Sequence, residues 1–136
     1  MANEIYAEII LDLYKNPANR GIIEDPDVLA EGGNPSCGDH AIFMLKINNG
    51  VIEDAKFSGN GCAISVASDS ILTELIKGKK VSDAKKISPQ DLFSEMGNII
   101  QTRIKCATLG LIVLKKGLEA YEKSAKKKAI IRNITI

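Results

Sequence analysis

An α+β fold, with helices packed mainly on one side of a small antiparallel sheet of about three strands, is what this sequence predicts. Three patterns carry that reading. Apolar residues recur at helical spacing in an opening segment and in two longer later ones. Between them lie two strand-like runs, 41–48 and 51–58, joined through Asn49-Gly50. No repeat or linker interrupts the 136 residues, so residues 1–136 read as a single domain.

In chain order, Ile5, Ile9, Ile10 and Leu13 mark one face of a helix over residues 4–14, which Asn16-Pro17 stops because proline disfavours helical backbone before it. Residues 18–36, rich in Gly, Pro, Asn and Asp, predict an irregular connection with room for one short strand. Asn-Gly between the two strand-like runs predicts a type I′ hairpin, since both residues tolerate positive φ. In the second run Val51, Glu53, Ala55 and Phe57 alternate with Ile52, Asp54, Lys56 and Ser58, although neither face is purely apolar.

The glycine-rich turn Ser58-Gly59-Asn60-Gly61-Cys62 leads into a helix over 63–77, with Ile64, Ala67, Ile71, Leu72, Leu75 and Ile76 on one face and Gly78 as its stop. Ser82 is a candidate cap for a short helix. Ser88-Pro89-Gln90-Asp91 has the chemistry of a helix start: a capping serine, proline at the first position and an acid in the first turn. The last helix, about 102–125, carries Ile104, Ala107, Leu111, Leu114, Leu118 and Tyr121. Lys126-Lys127-Lys128 then reads as a helix end and solvated tail. The ending Ile130-Ile131 through Ile134 and Ile136 alternates partly like a strand, suited to a sheet edge or a partner.

A composition of 45% hydrophobic and 26% charged residues is ordinary for a globular protein. The formal net charge of +1 gives no electrostatic reason to expect nucleic acid or a membrane surface as partner. No apolar stretch approaches the roughly 20 residues that span a bilayer, and the N-terminus lacks the basic start and apolar run of a signal peptide, so the expected location is cytoplasmic. Three cysteines in a reducing compartment do not make a disulfide framework.

Those cysteines carry the chemistry. Cys37, Cys62 and Cys106 include no Cys-x-x-Cys pair, and on spacing alone each reads as a small buried hydrophobe. Their surroundings favour another reading. Cys37 lies in the turn-forming stretch Gly33-Asn34-Pro35-Ser36-Cys37-Gly38-Asp39, and residues 37 and 39 point the same way in an extended chain. Cys62 opens a helix, where free N–H groups and the dipole favour a thiolate. Cys106 follows Arg103 and Lys105 in the first turns of another helix, again favouring a thiolate. Three thiolates and the Asp39 carboxylate make four ligands, the count that closes a tetrahedral zinc site or completes the outer coordination of a two-iron, two-sulfide cluster. Iron–sulfide chemistry prefers soft thiolate, so Asp39 is the weak corner, suited to a site that must release what it holds.

At these residues the sequence resembles the iron–sulfur cluster assembly scaffold family, of the IscU, NifU N-terminal and SufU type. The matching motifs are Tyr6, Tyr14-Lys15-Asn16-Pro17-x-Asn19-x-Gly21, Asn34-Pro35-Ser36-Cys37-Gly38-Asp39, Glu53-Asp54-Ala55-Lys56-Phe57, Gly59-x-Gly61-Cys62-Ala63-Ile64-Ser65-x-Ala67-Ser68 and Arg103-Ile104-Lys105-Cys106-Ala107. They run over roughly residues 5–125 and are specific as an ordered set. The resemblance implies the α+β fold, ligands at Cys37, Asp39, Cys62 and Cys106, a partner cysteine desulfurase that delivers persulfide sulfur, and apo iron–sulfur proteins as recipients. It also implies docking or dimer contacts through the N-terminal segment, which makes a homodimer one expectation and Tyr6 a residue to test.

Two departures stand out. IscU-type members usually have histidine before the last cysteine; here it is Lys105, as in SufU-like members. Those in turn usually carry an insertion between the second and third cysteines, for which the spacing here is too short. The segment matching the Leu-Pro-Pro-Val-Lys site of a dedicated Hsp70 chaperone is Ile99-Ile100-Gln101-Thr102-Arg103, without proline.

The leading expectation is therefore a non-enzymatic scaffold for a labile [2Fe-2S] cluster, with Cys106 as the sulfur-accepting candidate and Lys105 and Arg103 in support. Lys105 either holds the incoming persulfide, pairs with Asp39 in the empty site, or is a plain exposed lysine. The runner-up is a zinc-bearing SufU-like sulfur acceptor using the same four ligands. A cysteine-nucleophile enzyme needs a base beside the thiol. The one histidine, His40, neighbours Asp39 and so points to the opposite sheet face.

Overall fold

The structure, a computed structural model, describes residues 2–36, 38–96, 104–124 and 128–135, with side chains from residue 8 and from Cys106 onward in the first and third of these segments. Cys37, Arg103, the 99–103 segment, Lys126 and Lys127 lie outside the described residues, as do the side chains of Tyr6 and Lys105.

Helix α1 (Ala2–Lys15) is followed by strands β1 (Val28–Asn34), β2 (Asp39–Asn48) and β3 (Val51–Ser58). Then come helices α2 (Ala63–Ile76), α3 (Val81–Ala84), α4 (Pro89–Met96) and α5 (Ile104–Lys123), and a last strand β4 (Ala129–Thr135). The sheet order is β3-β2-β1-β4, with β1, β2 and β3 antiparallel and β4 parallel to β1. The α+β class holds, but the sheet has four strands and is mixed. The alternation at 130–134 belongs to strand β4, placed on the edge beside β1, so the lysine run leads into a strand and not into a solvated tail. Its buried residues are Ala129 and Ile134, while Ile130 is exposed. Pairing slips between Ala30 and Gly32, beside Asn133 with its positive φ of 61°, and the slip breaks the simple alternation. Lys128, just before β4, pairs with Asp25.

The hairpin forms as its sequence predicts, with Asn49 at φ 52° and Gly50 at φ 78°. In β3 the buried residues are Ile52, Ala55 and Phe57. Ile52 faces Ile47 and Asp54 faces Lys46, so Glu53 is an extra residue in the ladder. That bulge switches the buried face mid-strand, which is why neither sequence register was purely apolar.

Val28, Ala30, Phe43, Leu45, Ile52 and Phe57 form the inner face of the sheet, against which α5 packs over β1, β2 and β4 and α2 over β3. In α5, Ala107, Leu111, Leu114, Leu118 and Tyr121 are all buried, as their spacing predicts. Helix α1 packs on α2 through Ile10 and Leu13, whereas Ile9, expected on the same face, is 40% exposed. Helix α2 is covered on several sides, so its burial extends beyond the predicted apolar face to Ser65, Ser68, Asp69, Ser70 and Thr73. Most of these have partners: Ser70 Oγ accepts from the Ala18 N–H, Thr73 Oγ1 donates to the Ser70 carbonyl and accepts from Asn19, and Ser68 Oγ donates to the Ala107 carbonyl. The Asn16-Pro17-x-Asn19 motif thus fastens the post-α1 segment onto α2, with Asn19 at φ 62° and its carbonyl accepting from Phe57 N–H.

Gly78 follows α2 in the left-handed region, as expected of its stop. Ser82 does not cap α3; Lys80 stands at that position, without a side-chain cap. Ser88 caps α4, its Oγ accepting from Asp91 N–H at 3.2 Å while Asp91 Oδ2 accepts from Ser88 N–H at 2.9 Å, a reciprocal pair in which aspartate does the work of the usual glutamate. Among the described residues no helix is long and apolar enough to cross a membrane.

Candidate metal centre

Three elements end at one place. Asp39 is the first residue of β2, Cys62 is the N-cap of α2, and Cys106 lies in the first turn of α5. Their ligand atoms, one carboxylate oxygen and two Sγ, all lie within 4.8 Å of one another. Cys37, the fourth expected ligand, lies outside the described residues, between β1 and β2 in the sequence.

The turn before α2 sets this approach. Asn60 carbonyl accepts from His40 N–H at 2.7 Å, and Arg20 Nη2 donates to the Gly59 carbonyl at 2.9 Å. Gly61 passes directly over Asp39: a Cβ there would lie 2.8 Å from Ser65 Oγ and 3.2 Å from Asp39 Oδ1. Asp39, only 5% exposed, accepts from Cys62 N–H at 3.1 Å through Oδ1 and from Cys62 Sγ at 3.9 Å through Oδ2. A buried carboxylate thereby satisfies one of the free N–H groups that a helix start leaves, a task Cys62's own side chain does not perform.

Cys62 is half-buried and Cys106 buried; neither is in a disulfide. Burial pushes the Cys106 thiol up to about 12, reinforced by hydrogen bonds with Asp39 and Cys62 and by their negative charge. The ready thiolate expected at Cys106 is therefore not what its described surroundings provide. Sequence spacing showed the cations in its own segment but not Asp39 and Cys62 arriving from two other elements. Iodoacetamide at pH 8 is accordingly expected to modify Cys62 at least tenfold faster than Cys106, read by peptide mass spectrometry over time. Asp39→Ala is expected to speed modification of Cys106; equal rates at the two cysteines in the unmodified chain would contradict the described burial.

His40 turns away from this cluster, as strand alternation predicts: its Nε2 lies 3.1 Å from Glu31 Oε2, and Glu31 also meets Arg132 Nη1 at 3.4 Å. An open cleft of about 420 Å³, bordered by Glu31, Asn34, Gly38, Asp39, His40 and Asn133, adjoins the site on the strand-end side. Arg20 and Ser65, which hold and fit the turn, were not singled out from sequence. Ser65 is marked only by its place in a matching motif, Arg20 falls at an unspecified position of another, and no chemistry of their own announces a role.

A carboxylate and two thiols gathered at the ends of three elements of an α+β domain make a group that could hold a metal ion. The family described as NifU-like N terminal domain matches residues 5–128, and the chain belongs to it. The chain is 40% identical over 118 residues to an iron–sulfur cluster assembly scaffold protein IscU of Aquifex aeolicus, covering 85% of this chain and 75% of that one. It is 38% identical over 138 residues to the zinc-dependent sulfurtransferase SufU of Bacillus subtilis, covering 87% and 92%. A solved structure from Fervidobacterium islandicum, assigned as an iron–sulfur cluster assembly scaffold for the SUF system, superposes with a TM-score of 0.74 at 30% identity, covering 87% of this chain and 99% of that one.

Proposed function

We propose that this chain is a scaffold on which a [2Fe-2S] cluster is assembled as cargo, on Cys37, Asp39, Cys62 and Cys106, and from which it passes to apo iron–sulfur proteins. The observation that carries this reading is the gathering of Asp39, Cys62 and Cys106 within 4.8 Å at the ends of three elements. With Cys37 they supply the four protein ligands that two irons require beyond their bridging sulfides. The substrates are iron, persulfide sulfur from a cysteine desulfurase, and an external reductant that supplies the two electrons taking each sulfur to sulfide. In the sulfur step a scaffold thiolate takes the outer sulfur of the donor's persulfide: a new S–S bond forms as the donor's breaks, and the donor leaves as thiolate. Cys106 is assigned as acceptor. To act it must ionise, and withdrawing Asp39 would remove one of the hydrogen bonds and one of the charges that, after burial, hold its proton. Lys105 and Arg103 lie next to it in sequence and support the same step.

A second reading has a specific support, the zinc-dependent sulfurtransferase among the relatives. Three thiolates and one carboxylate also fit tetrahedral zinc, so the same four residues would hold that ion, and zinc would keep the thiols deprotonated. One of the cysteines would then serve as the sulfur acceptor. That alignment spans 138 positions, more than the 136 residues of this chain, so the relative carries residues without a counterpart here.

The test is the content of iron, zinc and acid-labile sulfide in protein purified without oxygen or chelators. The expected result is about two irons and two sulfides per chain. One zinc and no sulfide, with no cluster after supply of iron and sulfide, overturns the scaffold in favour of the sulfur acceptor.

A further inference from the structure

Two unfavourable features meet at a single contact between α2 and α5. Asp69 lies in the middle of α2, two turns below Cys62, and is 3% exposed. Among the described residues its Oδ1 has no hydrogen-bond partner. Facing it is Gly110 in α5, one turn below Cys106. A Cβ at Gly110 would stand 2.2 Å from Asp69 Oδ1 and 3.1 Å from Leu72 Cδ1 and Phe43 Cζ. A glycine inside a helix and a buried unpaired carboxyl oxygen each destabilise a fold. Here each makes sense of the other, because only glycine leaves space for the acid. Directly above, Ser68 Oγ donates to the Ala107 carbonyl, so a polar seam joins the two helices just beneath the two cysteines.

We propose that Asp69, wedged against Gly110, is a positioning residue that sets the spacing of α2 and α5 beneath Cys62 and Cys106. Gly110 of α5 faces it with Phe43 of β2 close by, and Asp39 of β2 and Arg20 from the segment after α1 act on it through their charge. Asp39 repels a second negative charge, and Arg20, the cation that acts on it among the described residues, is exposed with its guanidinium donating to the Gly59 carbonyl. Burial first, then Asp39, hold the Asp69 carboxyl well above its usual range, against the weaker pull of Arg20. A carboxyl whose folded value is raised gives its full stability below the unfolded value near 3.8 and loses it as pH rises through the folded value. Ionisation of Asp69 would force the helices apart where the ligands sit.

The link to metal rests on Cys62 and Cys106 being ligands; the link to stability does not, so the two can fail separately. Asp69→Asn keeps the shape and cannot ionise. In metal-free full-length protein, its Tm is expected to fall less between pH 6 and pH 9 than that of the unchanged chain. Cadmium affinity, followed by thiolate-to-metal absorbance, is expected to stay within about twofold of the unchanged chain's at pH 6 and to exceed it by a margin that widens as pH rises. The same pH slope of Tm in both proteins overturns the proposal. A second check does not depend on Asn fitting. Gly110→Ala is expected to lower Tm and weaken cadmium binding about tenfold, and Asp69→Ala added to it is expected to restore most of both, because the clash is gone. Simple addition of the two effects, or a Gly110→Ala protein with unchanged Tm, overturns the wedge. Loss of the pH slope in Asp69→Asn with cadmium binding indifferent to Cys106→Ala retires the ligand assignment, and with it the positioning role.

Discussion

Cys62→Ala is expected to reduce the iron and sulfide retained after anaerobic reconstitution and desalting by about 100-fold, while leaving the fold in place. Removing one thiolate from four ligands is a larger loss than removing an outer-shell partner, and outer-shell changes alone reach about 10- to 100-fold. The fold is expected to survive because the contact that Cys62 makes for the architecture is a backbone one. Its N–H reaches Asp39 Oδ1 and its carbonyl accepts from Val66 N–H to begin α2, and alanine keeps both. The side chain is half-buried at the rim of the core, so the truncation falls among the milder ones, about 1 kcal/mol, a shift of a few degrees in Tm. The measurement is iron and acid-labile sulfide per chain beside a thermal melt. Full cluster content in a folded Cys62→Ala protein would remove Cys62 from the site.

The contrast between a retained fold and a lost cargo comes from how the site is built, and the same construction explains what the sequence revealed. Each of Asp39, Cys62 and Cys106 begins an element, and the start of an element is legible from local chemistry: a turn before β2, a glycine-rich turn before α2, helical periodicity in α5. The apolar stripe of α5 was equally plain, because one face meets the sheet. Four features were not legible, each for a reason of tertiary context. The Glu53 bulge depends on the pairing partner of β3 and has no signature within the strand. The parallel docking of β4 depends on β1 having a free edge. The burial of five polar residues in α2 depends on elements approaching from more than one side, which turns expected solvent positions into buried ones. The raised proton affinity of Cys106 depends on Asp39 and Cys62, distant in sequence. In each case local periodicity stated the element correctly, and the neighbour across the fold decided what its side chains met.

Asp39→Ala is expected to slow transfer of the cluster to an apo acceptor by about tenfold and to lengthen the lifetime of the bound cluster by a similar factor, the free-energy equivalent of about 1.4 kcal/mol. Part of the reason is ligand preference, since a carboxylate oxygen is the poorest of the four partners for iron in a sulfide cluster. The structure adds a second part, which concerns the protein's own contacts. Asp39 accepts from Cys62 N–H at the start of α2 and from the Cys62 thiol, and it helps to keep Cys106 protonated. Each of these contacts competes with a metal for the same groups. A Cys106 thiol held up to about 12 must give up its proton to bind metal and regains it on release, so acid favours release and alkali favours loading. With Asp39 gone, the Cys62 N–H loses its partner and the Cys106 proton loses one of its holders, so the emptied state rises relative to the loaded one. The variant should therefore show a shallower dependence of cluster or cadmium affinity on pH between 6 and 9 than the unchanged chain. Transfer half-lives, measured by the change in visible circular dichroism as an apo ferredoxin-type acceptor is filled, provide the check. A transfer rate equal to that of the unchanged chain would mean that Asp39 neither weakens the loaded site nor stabilises the empty one, and release would have to be driven wholly by the acceptor.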